Sequence, residues 1–188
     1  MRFSYASLPD HPVPEIVETI ALADELGFHG AYMADETYHK DGWLIAGVAA
    51  TRTSRIRLSP CVTHVILKEP TILAHTVATL DELSGGRAEC VFSVGNIAML
   101  DQYHVDWKTG GQIRRLREAH HVMRTMLDDG KIDFEGEFYR YTASLPPRVR
   151  CRTTCRSRSA RCGARGRSSS RARSRTACTR RSRTRQRP

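Results

Sequence analysis

Apolar positions along the first 145 residues alternate between the spacing of buried strands and the spacing of amphipathic helices. Short apolar or β-prone runs, which predict strands, occupy residues 2–7, 30–35, 55–63 and 87–96. Apolar residues at helical spacing, which predict helices, occupy residues 12–28, 42–53, 70–86 and 111–130. Residues 131–141 follow the last helix and predict a small hairpin that turns near Gly136. The pattern therefore predicts an α/β fold.

The predicted strands begin near residues 2, 30, 56 and 87, roughly 26 to 31 residues apart, with a helix in each interval. This is the spacing of repeated βα units. Strands two to four are almost continuously apolar, as buried parallel strands are. Four such units predict either one half of an eight-stranded barrel or a small doubly wound sheet, and the pattern alone is compatible with both.

Charge divides the 188-residue chain into two regions, although its overall charge is +10. Residues 1–145 contain 14 Lys and Arg together with all 20 Asp and Glu, a net charge of −6. Residues 146–188 contain 16 Arg and no acidic residue, a net charge of +16. The sequence therefore predicts two parts, an α/β body over 1–145 and an Arg/Ser-rich tail over 146–188.

The tail contains no Leu, Ile, Phe, Met, Trp or Tyr, so it has too little apolar surface to offset chain ordering and we expect it to be disordered. Arginine without lysine, together with cysteine, is typical of GC-rich coding DNA translated out of frame. We therefore expect a frameshift near codons 143–148. The alternative is a genuine nucleic-acid-binding segment; sixteen arginines would bind polyanions non-specifically in either case.

The cysteines and the lengths of the apolar runs argue against a zinc-binding, membrane-spanning or secreted protein. Cys61 and Cys90 lie in apolar segments of the body, where free buried thiols are expected. The tail cysteines, with three, six and fifteen residues between them, lack the paired spacing of zinc ligands. No apolar run approaches the roughly 20 residues of a membrane-spanning helix, and the N-terminus lacks the pattern of a signal peptide. We therefore expect a cytoplasmic protein without metal.

Ligands of both candidate folds bind at the carboxyl ends of the strands. Polar residues follow strands two, three and four there: Asp35 and Glu36; Cys61, Val62, Thr63 and His64; Ser93, Gly95 and Asn96. Each has a simpler explanation. The acidic pair could cap a loop, His39 and His64 could be loop histidines, Trp43 a core residue and Gly95 a turn. No glycine-rich phosphate motif and no nucleophile elbow accompanies them. The residues alone therefore predict a polar rim and no particular reaction.

Four segments in order resemble the bacterial-luciferase-like superfamily: "ALADELGFHGAYMADE", "TSRIRLSPCVTHVILKEPTILAHTVATLDELSGGRAE", "FSVGNIAMLDQYHVDW" and "RRLREAHHVMRTMLDDGKIDFEGEFYRY". The resemblance covers residues 2–145 and is greatest to the deazaflavin-dependent methylenetetrahydromethanopterin reductase group. It implies a (β/α)8 barrel of about twice this length. It also implies an oxidoreductase or monooxygenase that binds coenzyme F420 (a deazaflavin) or FMN and acts on a small molecule. Such enzymes are often homo-oligomers.

The same resemblance implies roles for single residues. It places a non-prolyl cis peptide at Cys61–Val62, against the central ring of the cofactor. With the cofactor at the carboxyl ends of the strands, we expect Thr63, His64, Ser93, Gly95 and Asn96 to bind it and Asp35 and Glu36 to be catalytic. Many deazaflavin-dependent members have histidine where this chain has Glu36, and some have glutamate where it has Asn96, so histidine-based proton transfer is in doubt. Because the family continues with further βα units, we expect this chain to be a truncated and inactive form.

Overall fold

The computed structural model describes residues 1–108 and 110–145. The predicted disorder, the frameshift and the nucleic-acid-binding role of residues 146–188 lie outside the described residues. The elements in chain order are β1 (Ser4–Ser7), α1 (Val13–Glu25), β2 (Gly30–Met33), α2 (Gly42–Arg52), β3 (Arg57–His64), α3 (Pro70–Ser84), β4 (Val91–Ser93), α4 (Ile97–Gln102), α5 (Gln112–Asp129), β5 (Lys131–Glu135) and β6 (Arg140–Ser144).

Four parallel strands form one sheet in the order β1-β2-β3-β4. Each strand therefore pairs with the next one in sequence, whereas a doubly wound sheet reverses its strand order at a switch point. The α/β fold with four parallel strands is confirmed, and the order is that of consecutive strands in a (β/α)8 barrel. Strand four is shorter than the predicted 87–96, because Ala88 makes only an isolated bridge with Leu58 before β4 begins.

The helices begin and end where the local chemistry favours it. The Asp41 side chain caps α2 by accepting hydrogen bonds from the backbone N–H groups of Trp43 and Leu44. Proline occupies the first turn of α3, and Gly85 ends that helix with a left-handed φ of 68°. The predicted hairpin is confirmed, because β5 and β6 pair antiparallel on either side of Gly136.

The two faces of the parallel sheet differ in burial. Side chains alternate between the faces of a strand, and directly paired residues of parallel strands share a face. Ala31, Met33, Leu58 and Phe92 lie on the outer face, where they are buried with the helices in the main apolar core. Tyr32, Arg57, Cys61, Val91 and Ser93 lie on the inner face and are partly or fully exposed.

Asp24, near the end of α1, holds the chain that leads into β3. Its buried carboxylate accepts hydrogen bonds from the backbone N–H groups of Ser54 (2.7 Å), Arg55 (3.0 Å) and Ile56 (2.6 Å). Burial alone would raise the pKa of Asp24, but these backbone donors together lower it below its usual value. The carboxylate therefore stabilises the amino-terminal end of the sheet in its ionised form.

Asp24→Asn is expected to lower the free energy of unfolding by about 2–3 kcal/mol at pH 7. The amide has no charge, and its NH2 group replaces one of the two oxygens that accept hydrogen bonds from the backbone N–H groups. The stabilisation by the carboxylate is complete above the unfolded-state pKa of about 3.9 and is lost as pH falls through the lower folded-state pKa. The difference between the two proteins should therefore shrink below about pH 3.9. Urea unfolding at several pH values measures this, with exposed Glu25→Gln as the control. A difference independent of pH down to full protonation would contradict the role of the charge.

Candidate functional site

The loops that follow β2 and β4 meet at the carboxyl end of the sheet. The Asn96 side-chain amide donates hydrogen bonds to the Glu36 carboxylate and to the Tyr38 hydroxyl, each at 2.8 Å. The Tyr38 hydroxyl is the main cause of a lowered pKa at Glu36; burial opposes this, and the Asn96 amide adds to it. Glu36 is therefore held in place as a carboxylate at neutral pH.

A pocket of about 380 Å³ lies at this end of the sheet, between the ends of the strands. Apolar and polar side chains both contribute to its wall, which is the usual composition of a small-molecule site. The lining residues are Leu8, Ala34, Glu36, Cys61, Val62, His64, Ser93, Gly95, Asn96 and Met99. Seven of the nine residues that the sequence nominates are in this wall.

Strand β3 is irregular where it borders the pocket. The Cys61–Val62 peptide bond is cis, as the resemblance implies, and the register with β4 shifts between Cys61 and Thr63. Before the shift Cys61 pairs with Val91; after it Thr63 pairs with Phe92 and therefore faces the helices. The bulge thus presents Cys61 and Val62 to the pocket and turns Thr63 away from it.

Asp35 and Thr63 belong to a buried network behind the pocket. The Thr63 hydroxyl donates to the Asp35 carboxylate, and the Trp43 indole N–H lies 3.3 Å from the Thr63 oxygen. Lys68 donates to both oxygens of Asp35, at 2.7 and 2.8 Å. Neither Asp35 nor Thr63 lines the pocket. A catalytic role for Asp35 stays a prediction, and its contacts favour a role in positioning the two loops and the bulge.

His64 is the most buried titratable side chain of the pocket wall, at 3% exposed. Burial lowers its pKa, although Asp35 opposes the shift, so the imidazole is neutral at neutral pH. Its Nδ1 atom is buried and has no hydrogen-bond partner among residues 1–108 and 110–145. An unpartnered buried nitrogen at a pocket wall fits a ligand that supplies the missing hydrogen bond.

The segment after β4 forms a short helix that the periodicity did not predict. Gly95 has a φ of 101°, and a Cβ atom there would lie 2.9 Å from the terminal methyl of Met99. The Asn96 side chain then caps α4 through the backbone N–H of Met99, at 3.3 Å. Asn96 therefore both begins a helix and holds Glu36.

A larger groove of about 910 Å³ lies outside the sheet, between α2 and α3. Its wall consists mainly of helix side chains, including the exposed Leu44, Val48, Ile72 and Leu83, together with four residues of the loops that precede these helices. No strand residue lines it, so the smaller pocket is the candidate site. Among residues 1–108 and 110–145 we find no cluster of three or more metal-binding side chains, and no helix there is long and apolar enough to span a membrane.

The sequence profile of the luciferase-like monooxygenases matches residues 1–155. This chain belongs to the luciferase-like monooxygenase family. Its relatives in this family include the 5,10-methylenetetrahydromethanopterin reductase of Archaeoglobus fulgidus, which is 24% identical over 144 residues. That alignment covers 77% of this chain and 43% of the relative, so the chain spans less than half the length of the relative.

Two solved structures share the fold of the described residues. The coenzyme F420-dependent tetrahydromethanopterin reductase of Methanopyrus kandleri superposes with a TM-score of 0.73 at 28% identity, covering 79% of this chain and 46% of that one. A more distant structure is the oxygenating constituent of 3,6-diketocamphane monooxygenase from Pseudomonas putida, in complex with FMN. It has a TM-score of 0.64 at 16% identity and covers 78% of this chain and 44% of that one, which shows a common fold.

Proposed function

We propose that this chain contributes the amino-terminal part of the active site of an oxidoreductase that uses coenzyme F420 or FMN and acts on a small molecule. The observation that carries the proposal is the pocket at the carboxyl ends of β3 and β4, centred on Cys61–Val62. Support comes from the F420 dependence of the Methanopyrus kandleri reductase and from the FMN bound in the Pseudomonas putida monooxygenase. A homo-oligomeric assembly, as is common in the family, is part of the same proposal.

The pocket suits the planar ring of such a cofactor. Its volume of about 380 Å³ is at the lower end of the roughly 300–1,000 Å³ of small-molecule sites, enough for a ring system but not for the whole coenzyme. Leu8, Val62 and Met99 offer apolar surface to the ring, while Ser93 offers a hydroxyl and His64 an unpartnered Nδ1. The donor set therefore fits a flat heterocycle with polar edge atoms.

Bound F420 or FMN would supply hydride transfer to or from the substrate. The residues of this chain would set the charge and the hydrogen bonds around the reacting groups. The lowered pKa of Glu36 keeps it ionised, so it can accept a proton or a hydrogen bond but is a poor proton donor at neutral pH. His64 is neutral and buried, so it can orient a polar edge of the ring through Nδ1.

We also propose that residues 1–188 alone do not retain the cofactor. Among the described residues, β1 pairs only with β2 and β4 only with β3, so two sheet edges and the inner face lack partners. A closed barrel would pair those edges and cover that face. Translating the two other reading frames beyond codon 145 should show a fifth strand and further βα units; their absence would contradict the frameshift.

Shielding of Cys61 tests the position of the cofactor. Of the two cysteines in the described residues, Cys61 is exposed on the inner face and Cys90 is buried, so Cys61 should react with a maleimide at mildly alkaline pH and Cys90 should not. In a chain extended in the family-like frame, a cofactor concentration ten times Kd should slow Cys61 labelling about tenfold. Adenosine monophosphate, which has a phosphate but no tricyclic ring, is the control. Cofactor binding without slower labelling, measured by peptide mass spectrometry, would place the ring elsewhere.

A further inference from the structure

Glu36 carries a negative charge in the pocket wall that no cation of the described residues neutralises directly. Its side chain is 28% exposed, and its hydrogen-bond partners Asn96 and Tyr38 are both neutral. The nearest ionisable nitrogen is Nε2 of His39, at 3.9 Å from the carboxylate. The His39 Nδ1 atom is itself 2.8 Å from Asp10, so a proton on this imidazole is already balanced by a second carboxylate.

The other charged groups near the pocket have partners other than Glu36: Lys40, for example, donates hydrogen bonds to the carbonyl oxygens of Pro9 and Asp10, at 3.2 and 2.9 Å. Lys68 forms its short ion pair with Asp35 behind the sheet, 2.7 Å from the carboxylate oxygen. Arg57 lies 3.6 Å from buried Glu89 at the opposite end of the inner face. His64, the remaining titratable side chain with a polar atom in the wall, is kept neutral by burial. The described part of the pocket therefore has a net charge close to −1, located at Glu36.

We propose that the substrate of this site presents a cationic group, such as an amidinium, iminium or ammonium, to the Glu36 carboxylate, and that substrates with an anionic group at that position are excluded. The inference rests on the proposed function, since it concerns the substrate of the same pocket. It deepens that function by naming the charge class of the substrate. The wall offers both kinds of contact to such a substrate, because Glu36 and Asn96 are polar lining residues and Val62 and Met99 are apolar ones.

Electrostatic selection of this kind requires a charge that cannot turn away. The Asn96 amide fixes the Glu36 carboxylate through a hydrogen bond from the loop after β4, and Asn96 is itself fixed as the cap of α4. A carboxylate held in place attracts a nearby cation and repels an anion without first having to reorient. Both effects therefore increase the ratio of the affinity for the cationic ligand to the affinity for the anionic one. Since Glu36 is partly exposed, water screens both effects, and we expect about a tenfold preference for the cation.

Benzamidinium and benzoate are matched probes, because they are planar, of similar size and opposite in charge. Each is titrated into the full ¹⁵N-labelled chain, without cofactor, and amide shifts are followed at Glu36, Asn96 and Ser93. The result expected is saturable shifts with benzamidinium and at least about tenfold weaker binding of benzoate. Glu36→Gln should remove the preference for benzamidinium, while the amide spectrum remains that of a folded protein. Glu82→Gln, an exposed change on α3, should leave the preference intact.

Three results would overturn the proposal: benzoate binding as well as benzamidinium, no shift at these amides with either probe, or equal effects of Glu36→Gln and Glu82→Gln. The experiment is independent of the cofactor. A chain that selects benzamidinium but never binds F420 or FMN would contradict the proposed function and keep the charge selection. A chain that binds the cofactor but does not select between the two probes would contradict the charge selection and keep the proposed function.

Discussion

Replacing Arg87 with methionine is expected to lower the free energy of unfolding by about 3–5 kcal/mol, one of the largest losses for a single side chain outside the apolar core. The Arg87 guanidinium donates hydrogen bonds to the carbonyl oxygens of Ala50 (2.9 Å), Thr53 (3.0 Å), Ile56 (2.9 Å) and Ser84 (2.7 Å). One side chain therefore supplies hydrogen-bond donors to carbonyl oxygens at the end of α2, in the chain that enters β3 and at the end of α3. Methionine keeps the apolar stem but leaves these carbonyls without their charged donor.

Arg52→Met is the matched control, because Arg52 is an exposed arginine in the last turn of α2. It should cost no more than about 1 kcal/mol, the usual size of a helix-dipole contribution. Urea unfolding followed by far-ultraviolet circular dichroism measures both variants. Equal losses for Arg87→Met and Arg52→Met would show that the hydrogen bonds of Arg87 contribute little.

Arg87 belongs to a motif that is typical of the family but lies away from the pocket. The segment "DELSGGR" helps to identify the family by resemblance, yet its arginine and glycines lie at the amino-terminal end of the sheet, away from the pocket. Gly85 and Gly86 both have positive φ angles, and the Gly86 N–H bonds back to the Asp81 carbonyl to end α3. The motif is therefore explained by stability, which is the usual role of this face of a barrel.

Local patterns were sufficient for the repeating units and the hairpin. The βα spacing, the proline at the start of α3 and the glycine that ends it depend on short-range rules, and the structure agrees with them. Helix α4 was missed because its six residues are too few for a helical periodicity. The asparagine at position 96 is a recognised N-cap residue, and it was the one available signal for that helix.

The sequence predicted most residues that line the pocket but not the arrangement of their side chains. The rule that ligands meet the carboxyl ends of parallel strands grouped the loops that border this pocket. It could not foresee that the bulge after Cys61 shifts the register by one residue and so turns Thr63 to the helix side. Nor could it pair Asp35 with Lys68, since partners 33 residues apart are decided by the folded chain.

Cofactor affinity is the property for which we expect the largest difference between this chain and a complete barrel. The described residues supply one side of a ring pocket and an inner face with exposed or partly exposed Tyr32, Cys61 and Val91. A pocket with one wall buries less of a coenzyme-sized ligand than the 70–90% that is typical of such sites. It also lacks the fixed phosphate contacts that barrels provide beyond the fourth strand.

The most direct test is to titrate coenzyme F420 and FMN into two purified proteins, the 188-residue chain and the chain extended in the family-like frame after codon 145. Absorbance and fluorescence of the cofactor report binding, and the fraction of soluble protein is recorded for both. We predict Kd values in the micromolar range or below for at least one cofactor with the extended chain, and binding at least 100-fold weaker with the 188-residue chain, about 2.7 kcal/mol. Micromolar binding of either cofactor by the 188-residue chain alone would contradict the account.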